Sequence, residues 1–155
     1  MAPVGSYESL TAAIQAGAGS VYFGIGKLNM RSRSSVNFGF DDLQKIAEIC
    51  MQHHIKSYLT LNTVMYDNDI EELYKVIDAA STYNISAIIA MDMAAVMYAV
   101  SKNVEVHSST QLNISNIEAV KFYSNYTDVI VLARELNLEQ VKQITNKIEN
   151  QRITG

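Results

Sequence analysis

The sequence has 155 residues and a single cysteine, which excludes a disulfide framework and fits a reducing compartment. No apolar run approaches the roughly 18–20 residues that a membrane helix needs. The opening Met1-Ala2-Pro3-Val4-Gly5 lacks the long apolar core of a secretory signal. The expectation is no membrane partner and a cytoplasmic location. Positive charge is not in excess: the formal charge is −4 and the pI is near 5.3. That excludes nucleic-acid binding by overall attraction and leaves only a local basic patch. No low-complexity stretch or long polar linker divides the chain, so residues 1–155 read as one domain. Motifs of hydrolytic chemistry are also missing. There is no Gly-x-Ser-x-Gly elbow and no His-Glu-x-x-His helix, and no cysteine has a base beside it. His53, His54 and His107 lack metal-ligand spacing, so no metal site is expected.

What the sequence does have is a repeated plan. A hydrophobic share of 48% with 18% charged residues suits a globular domain. Five apolar runs each end in a small polar cluster: Ser20 to Phe23 into Gly24, Lys56 to Leu61 into Asn62-Thr63, and Ala87 to Met91 into Asp92. The others are Val104 to Val106 into His107-Ser108-Ser109-Thr110-Gln111, and Asp128 to Ala133 into Arg134-Glu135. Helical patterns follow each run. Ser6, Asp41 with Gln44, Asn68 with Glu71, Ser115 with Glu118, and Asn137 with Gln140 read as helix N-caps, and Met93 to Val100 as a short buried helix. No clean internal repeat is visible in the residues themselves.

Strands alternating with helices imply an α/β fold with a mostly parallel sheet and right-handed crossovers. Two architectures fit: an incomplete (β/α) TIM-type barrel, or a complete five-stranded doubly wound sheet. A whole (β/α)8 barrel needs about 250 residues. Met1 to Gly5 reads as the tail of a strand, and Gln151 to Gly155 trails off as though another strand should follow. The expectation is therefore a barrel fragment, which should self-associate through edges and apolar surface left uncovered.

Several segments resemble peptidase family U32, the collagenase-like peptidases. They are Ala2 to Leu10, Val21-Tyr22-Phe23-Gly24 followed by Leu28-Asn29-Met30-Arg31, Thr60-Leu61-Asn62-Thr63, His107-Ser108-Ser109-Thr110-Gln111, and Leu132-Ala133-Arg134-Glu135-Leu136. The resemblance covers nearly the whole chain and implies an α/β barrel. It also implies relatives named as proteases, others acting as hydroxylases of transfer RNA uridine, ribosomal RNA or quinone precursors, and prephenate linked to the RNA reactions. In such relatives a four-iron–four-sulfur cluster is held by cysteines beyond the stretch matched here. This chain by itself is then expected to bind no cofactor and to be inactive alone.

Polar residues at the C-terminal ends of parallel strands are where barrels and open α/β sheets place ligands. On that rule, with the family match beside it, the expected substrate-binding residues are Asn62, Asp92, Thr110, Gln111, Arg134 and Glu135. Arginine offers a bidentate grip on carboxylate or phosphate, and asparagine offers donors and an acceptor for a base or carbonyl. Asp92 is equally placed to cap the Met93 helix. Asn29 and Arg31 are the expected phosphate contacts, in a loop that also carries Lys27 and Arg33. The partner expected is an RNA or a small carboxylate. Two further readings stay open: a genuine peptidase, and a binding module without chemistry.

Overall fold

The computed structural model describes residues 1–30 and 38–151. Five strands, β1 (Ala2–Pro3), β2 (Ser20–Phe23), β3 (Lys56–Leu61), β4 (Ala87–Ala90) and β5 (Val106–Ser108), form one parallel sheet in chain order. Between and after them run α1 (Tyr7–Gln15), α2 (Asp42–Gln52), α3 (Ile70–Thr82), α4 (Met93–Ser101), α5 (Ile117–Tyr123) and α6 (Leu138–Gln151). A doubly wound sheet reverses its strand order at a switch point and buries both faces. Here the order never reverses. Val21, Phe23, Leu59, Leu61, Ile88 and Val106 on one face are 0–1% exposed, sharing a core with Leu10, Leu43, Ile46, Leu73, Ile77 and Val96 of the helices. The opposite face carries Tyr22, Tyr58, Ile89 and His107, all half-buried. One covered face and one open face, in unbroken chain order, is the arrangement of a partial (β/α) barrel.

The first four helices end by the same device. The backbone N–H groups of Ala18, Ile55, Ile85 and Val104 donate to the carbonyls of Ala13, Cys50, Ala80 and Ala99 at 2.9–3.0 Å. The residues just before, Gly17, His54, Asn84 and Asn103, all have φ between 50 and 75°, and each donates to the carbonyl three residues back. This is the Schellman closure, in which a left-handed residue turns the chain and satisfies the last helical carbonyls. Each closure delivers the chain to the N-terminal end of the next strand. The internal repeat that the residue letters conceal lies in these joints.

Not every expected element formed where the residues suggested. Ser6 caps α1, Asp92 caps α4, and Asn137 with Gln140 forms a reciprocal capping box at the start of α6. At α2 the residue in the cap position, Asp41, makes no side-chain cap bond. Asp42 instead accepts from the backbone N–H of Gly39 at 2.8 Å. Before α3 the turn Asp67–Asp69 is closed by Asp69, which accepts from the N–H of Tyr66, and at α5 Asn116 rather than Ser115 caps the helix.

The run Asp128 to Ala133 is not a strand of the sheet. It joins β5 by one bridge, His107 to Val129, after which the N–H of Val131 donates to the side-chain Oγ of Ser108. Its apolar alternation survives: Ile130 and Leu132 pack against the small core of α5 and α6, whereas Val129 and Val131 stay 40% and 37% exposed. β5 also lies two residues further along than the apolar run suggested, so His107 and Ser108 are strand residues.

Candidate functional site

Past the C-terminal ends of β3, β4 and β5 lies a cleft of about 410 Å³. Tyr22, Thr60 and Ile89 line its inner part, and Asn62, Thr110, Gln111 and Arg134 its rim. Four of the six expected substrate-binding residues therefore meet in one place, contributed by three separate loops.

Two of the three amide and guanidinium groups on this rim have their oxygen atoms already engaged. Asn62 Oδ1 accepts from the backbone N–H of Met30 at 3.2 Å. Gln111 Oε1 accepts from the hydroxyls of Ser109 and Thr110, the latter at 3.3 Å. The amide nitrogens of both side chains remain as donors without a protein partner among the described residues. Arg134 is exposed and forms no ion pair among those residues. Among the described residues no aspartate or glutamate lines the cleft, and Arg134 brings positive charge to it in a chain of net charge −4. The rim is thus a set of converging donors, suited to an acceptor-rich or anionic ligand.

The local fold explains these positions. Strand alternation ends at Ser108, because Thr110–Leu112 forms a single 3-10 turn. Ser109, Thr110 and Gln111 therefore do not continue the strand's alternation of sides. Ser109 instead anchors the turn through its N–H, which donates to the carbonyl of Ala90 at 2.7 Å. Ser108 is fully buried, and its bond to Val131 guides the following segment toward the rim. Ala133, one residue before Arg134, is fixed by its N–H to the carbonyl of Ile114 at 2.9 Å.

The remaining expected residues lie elsewhere. Asp92 holds two loops together: Oδ1 accepts from the N–H of Ala94 at 2.9 Å and Oδ2 from the N–H of Met65 at 3.2 Å. It is a brace behind the rim, not part of the lining. Glu135 is exposed and outside the cleft. Asn29 is only 1% exposed, and its Nδ2 donates to the carbonyls of Ile25 and Gly26 at 3.0 and 3.3 Å. A Cβ on Gly24 would collide with the Asn29 side chain, so glycine is required for this packing. Asn29 braces its loop and is not offered to a phosphate. Arg31 and Arg33 lie outside the described residues. Lys27 is paired with Asp69 at 2.7 Å and Glu72 at 3.4 Å.

His107, which is not among the expected site residues, belongs to the open face of the sheet. Its Nε2 lies 2.7 Å from Glu105 Oε1, and its ring stands 4.9 Å from that of Tyr58. The signal was the strand boundary: once His107 is inside β5, alternation puts it level with Ile89.

Cys50 does not fit the role of a cluster ligand. Iron–sulfur clusters are held by thiolates, whereas burial pushes the Cys50 thiol up to about 11 and the residue is 1% exposed. It occupies the place in the α2 closure that alanine fills in α1, α3 and α4. Among the described residues no group of three or more His, Cys, Asp or Glu is arranged to hold a metal ion. None of the helices there is long and apolar enough to cross a membrane.

The fold is that of a segment of a (β/α)-barrel protein, with a cleft at the strand C-terminal ends. The model of peptidase family U32 matches residues 5–153, and the chain belongs to that family. A collagenase of Porphyromonas gingivalis (strain ATCC BAA-308 / W83) is 64% identical over 155 residues, covering 100% of this chain and 37% of that protein. The tRNA hydroxylation protein P1 of Bacillus subtilis (strain 168) is 30% identical over 152 residues, 96% of this chain and 36% of that protein. Among solved structures, the U32 peptidase Mk0906 superposes with a TM-score of 0.75 at 13% identity, over 94% of this chain and 63% of that one. The chain spans a little over a third of the length of these two curated relatives.

Proposed function

We propose that this chain forms the substrate-recognition rim of a U32 enzyme that hydroxylates an RNA base. Asn62 and Gln111 would donate to the carbonyl edge of the base, and Arg134 would hold an anionic group of the same substrate. The observation that carries this reading is the convergence of three donor side chains in a cleft that no carboxylate lines among the described residues. The relative named as a tRNA hydroxylation protein supports the choice of substrate. The chain's own residues contribute binding and orientation; its one cysteine is a packing residue, and no step is assigned to a cluster.

A second reading, peptide hydrolysis, is favoured by the 64% identical relative named a collagenase. The cleft gives it little chemistry. Ser108 is fully buried with its oxygen bonded to Val131, Ser109 is bonded to Gln111, and the nearest histidine is paired with Glu105. The two readings separate in a direct binding assay. Fluorescence anisotropy with a labelled uridine-containing single-stranded RNA should show salt-dependent binding that weakens roughly tenfold in Arg134→Gln. Binding of denatured collagen peptides with no response to RNA would overturn the RNA reading.

A further inference from the structure

Thr110, Gln111, Arg134 and Met30 face two clefts at once. They line the cleft described above, and they also line a second groove of about 350 Å³ whose other walls are Thr63, Val64, Met91 and Asn113. Each space is near the lower end of the range for small-molecule sites, about 300–1,000 Å³. Each therefore suits one ring-sized unit better than a whole extended ligand.

The two spaces differ in chemistry. The inner one is set against the sheet, with Tyr22, Ile89 and Val131 in its walls. The outer one lies on the loops, where Val64 is 52% exposed and Met91 half-buried. A branched aliphatic and a thioether give a soft apolar surface that adapts to a flat ring. Thr63 and Asn113 supply polar groups at its edge, and neither side chain has a protein partner among the described residues. Arg134 stands on the wall between, without an ion-pair partner among the described residues, and is the one charged side chain among those that line either space.

We infer that the outer groove is a second subsite, which receives the neighbouring unit of an oligomeric anionic ligand. One ring occupies the inner cleft, the linking phosphate lies on Arg134, and the next ring rests against Val64 and Met91. The inference rests on the RNA reading above and extends it from a single base to a stretch of at least two nucleotides. A phosphodiester carries its charge between two rings, and Arg134 stands between the two spaces. Apolar contact of the second base with Val64 and Met91 in the outer groove then adds affinity without further charge.

The test is equilibrium binding of the full 155-residue chain to uridine monophosphate and to the dinucleotide UpU. UpU should bind roughly tenfold more tightly than the monophosphate, because burial of the second base against Val64 and Met91 adds to its affinity. Val64→Ser and, separately, Asn113→Gly, which keeps the left-handed φ of 50° at that position, should bring UpU down to the monophosphate's affinity and leave the monophosphate unchanged. Both positions are exposed, and an unaltered melting temperature verifies that the variants fold. Equal affinity for the two probes, with both weakened by Arg134→Gln, would overturn the second subsite while leaving the recognition rim intact. Absence of binding by either probe would overturn the RNA reading itself, and the subsite with it.

Discussion

Ser108 Oγ accepts the backbone N–H of Val131 at 2.8 Å, so a side chain replaces the carbonyl that would have continued the ladder beyond the His107–Val129 bridge. Through that bond a fully buried serine in the last strand positions the segment leading to Arg134. Ser108→Ala removes the acceptor and leaves the Val131 N–H without it, a loss on the order of 1–3 kcal/mol. The expected result in urea unfolding is a lower midpoint with an unchanged slope. A weakened affinity for anionic ligands should accompany it, because Arg134 loses its guide.

The four matching helix ends make a prediction about Cys50. Since Ala13, Ala80 and Ala99 fill the same place in the other joints, Cys50→Ala should cost under about 1.5 kcal/mol, whereas Cys50→Leu should overpack the site. At His54, with φ of 55°, a Cβ is an encumbrance that glycine lacks. His54→Gly should raise stability by roughly 0.5–1 kcal/mol. Differential scanning calorimetry on the three variants checks both statements.

Gly24 and Asn29 are complementary shapes in one loop. Gly24→Ala should destabilise by about 1–3 kcal/mol, because the new methyl group meets an amide held by two carbonyls. Adding Asn29→Ala to that variant should recover part of the loss. A double-mutant cycle showing simple additivity would refute the proposed contact.

Tyr7 donates to Asp42 Oδ1 at 2.6 Å, tying α1 to α2. The Asp42 carboxylate is held below its usual range, first by this bond and then by the Gly39 N–H. Burial first, and then Asp42, push the Tyr7 hydroxyl up to about 12 from its ordinary 10.0. A carboxylate whose folded pKa is depressed adds stability above its unfolded value, and that stability is lost as pH falls through the folded one. A phenol whose folded pKa is raised adds stability below pH 10, lost as pH climbs toward 12. Stability should therefore decline on both flanks, and Tyr7→Phe should flatten the alkaline decline and reduce the acidic one. Denaturant midpoints measured across pH test the signs.

The open face of the sheet, with Tyr22, Tyr58, Ile89, Val129 and Val131 only partly covered, should make this chain associate with itself as concentration rises. Sedimentation velocity should show larger species. A monomer at every concentration would contradict the expectation.

The fold was legible where buried strands announce themselves as apolar runs and where caps precede helices: β2, β3 and β4 lie within their expected runs, and Ser6, Asp92 and Asn137 do what their types suggest. The misses have physical causes. Asp128 to Ala133 has strand-like alternation, but its hydrogen bonds pass to a side chain and to Ile114, which no periodicity encodes. Asn29 has the residue type of a phosphate contact, but it is buried against Gly24 and bonded to its own loop. At the site, Asn62, Thr110, Gln111 and Arg134 were visible as polar residues ending their runs. That two amides keep only their donors free depends on Met30, Ser109 and Thr110, and could not be read from the letters.

Because the four helix closures gather at the strand beginnings and the donor rim at the strand endings, rigidity and the proposed recognition lie at opposite ends of the strands. Residues such as Val64, Asn113 and Arg134 can be exchanged without loosening a single joint. Evolution could retune what such a rim grips while leaving the frame untouched, and an experimenter can do the same.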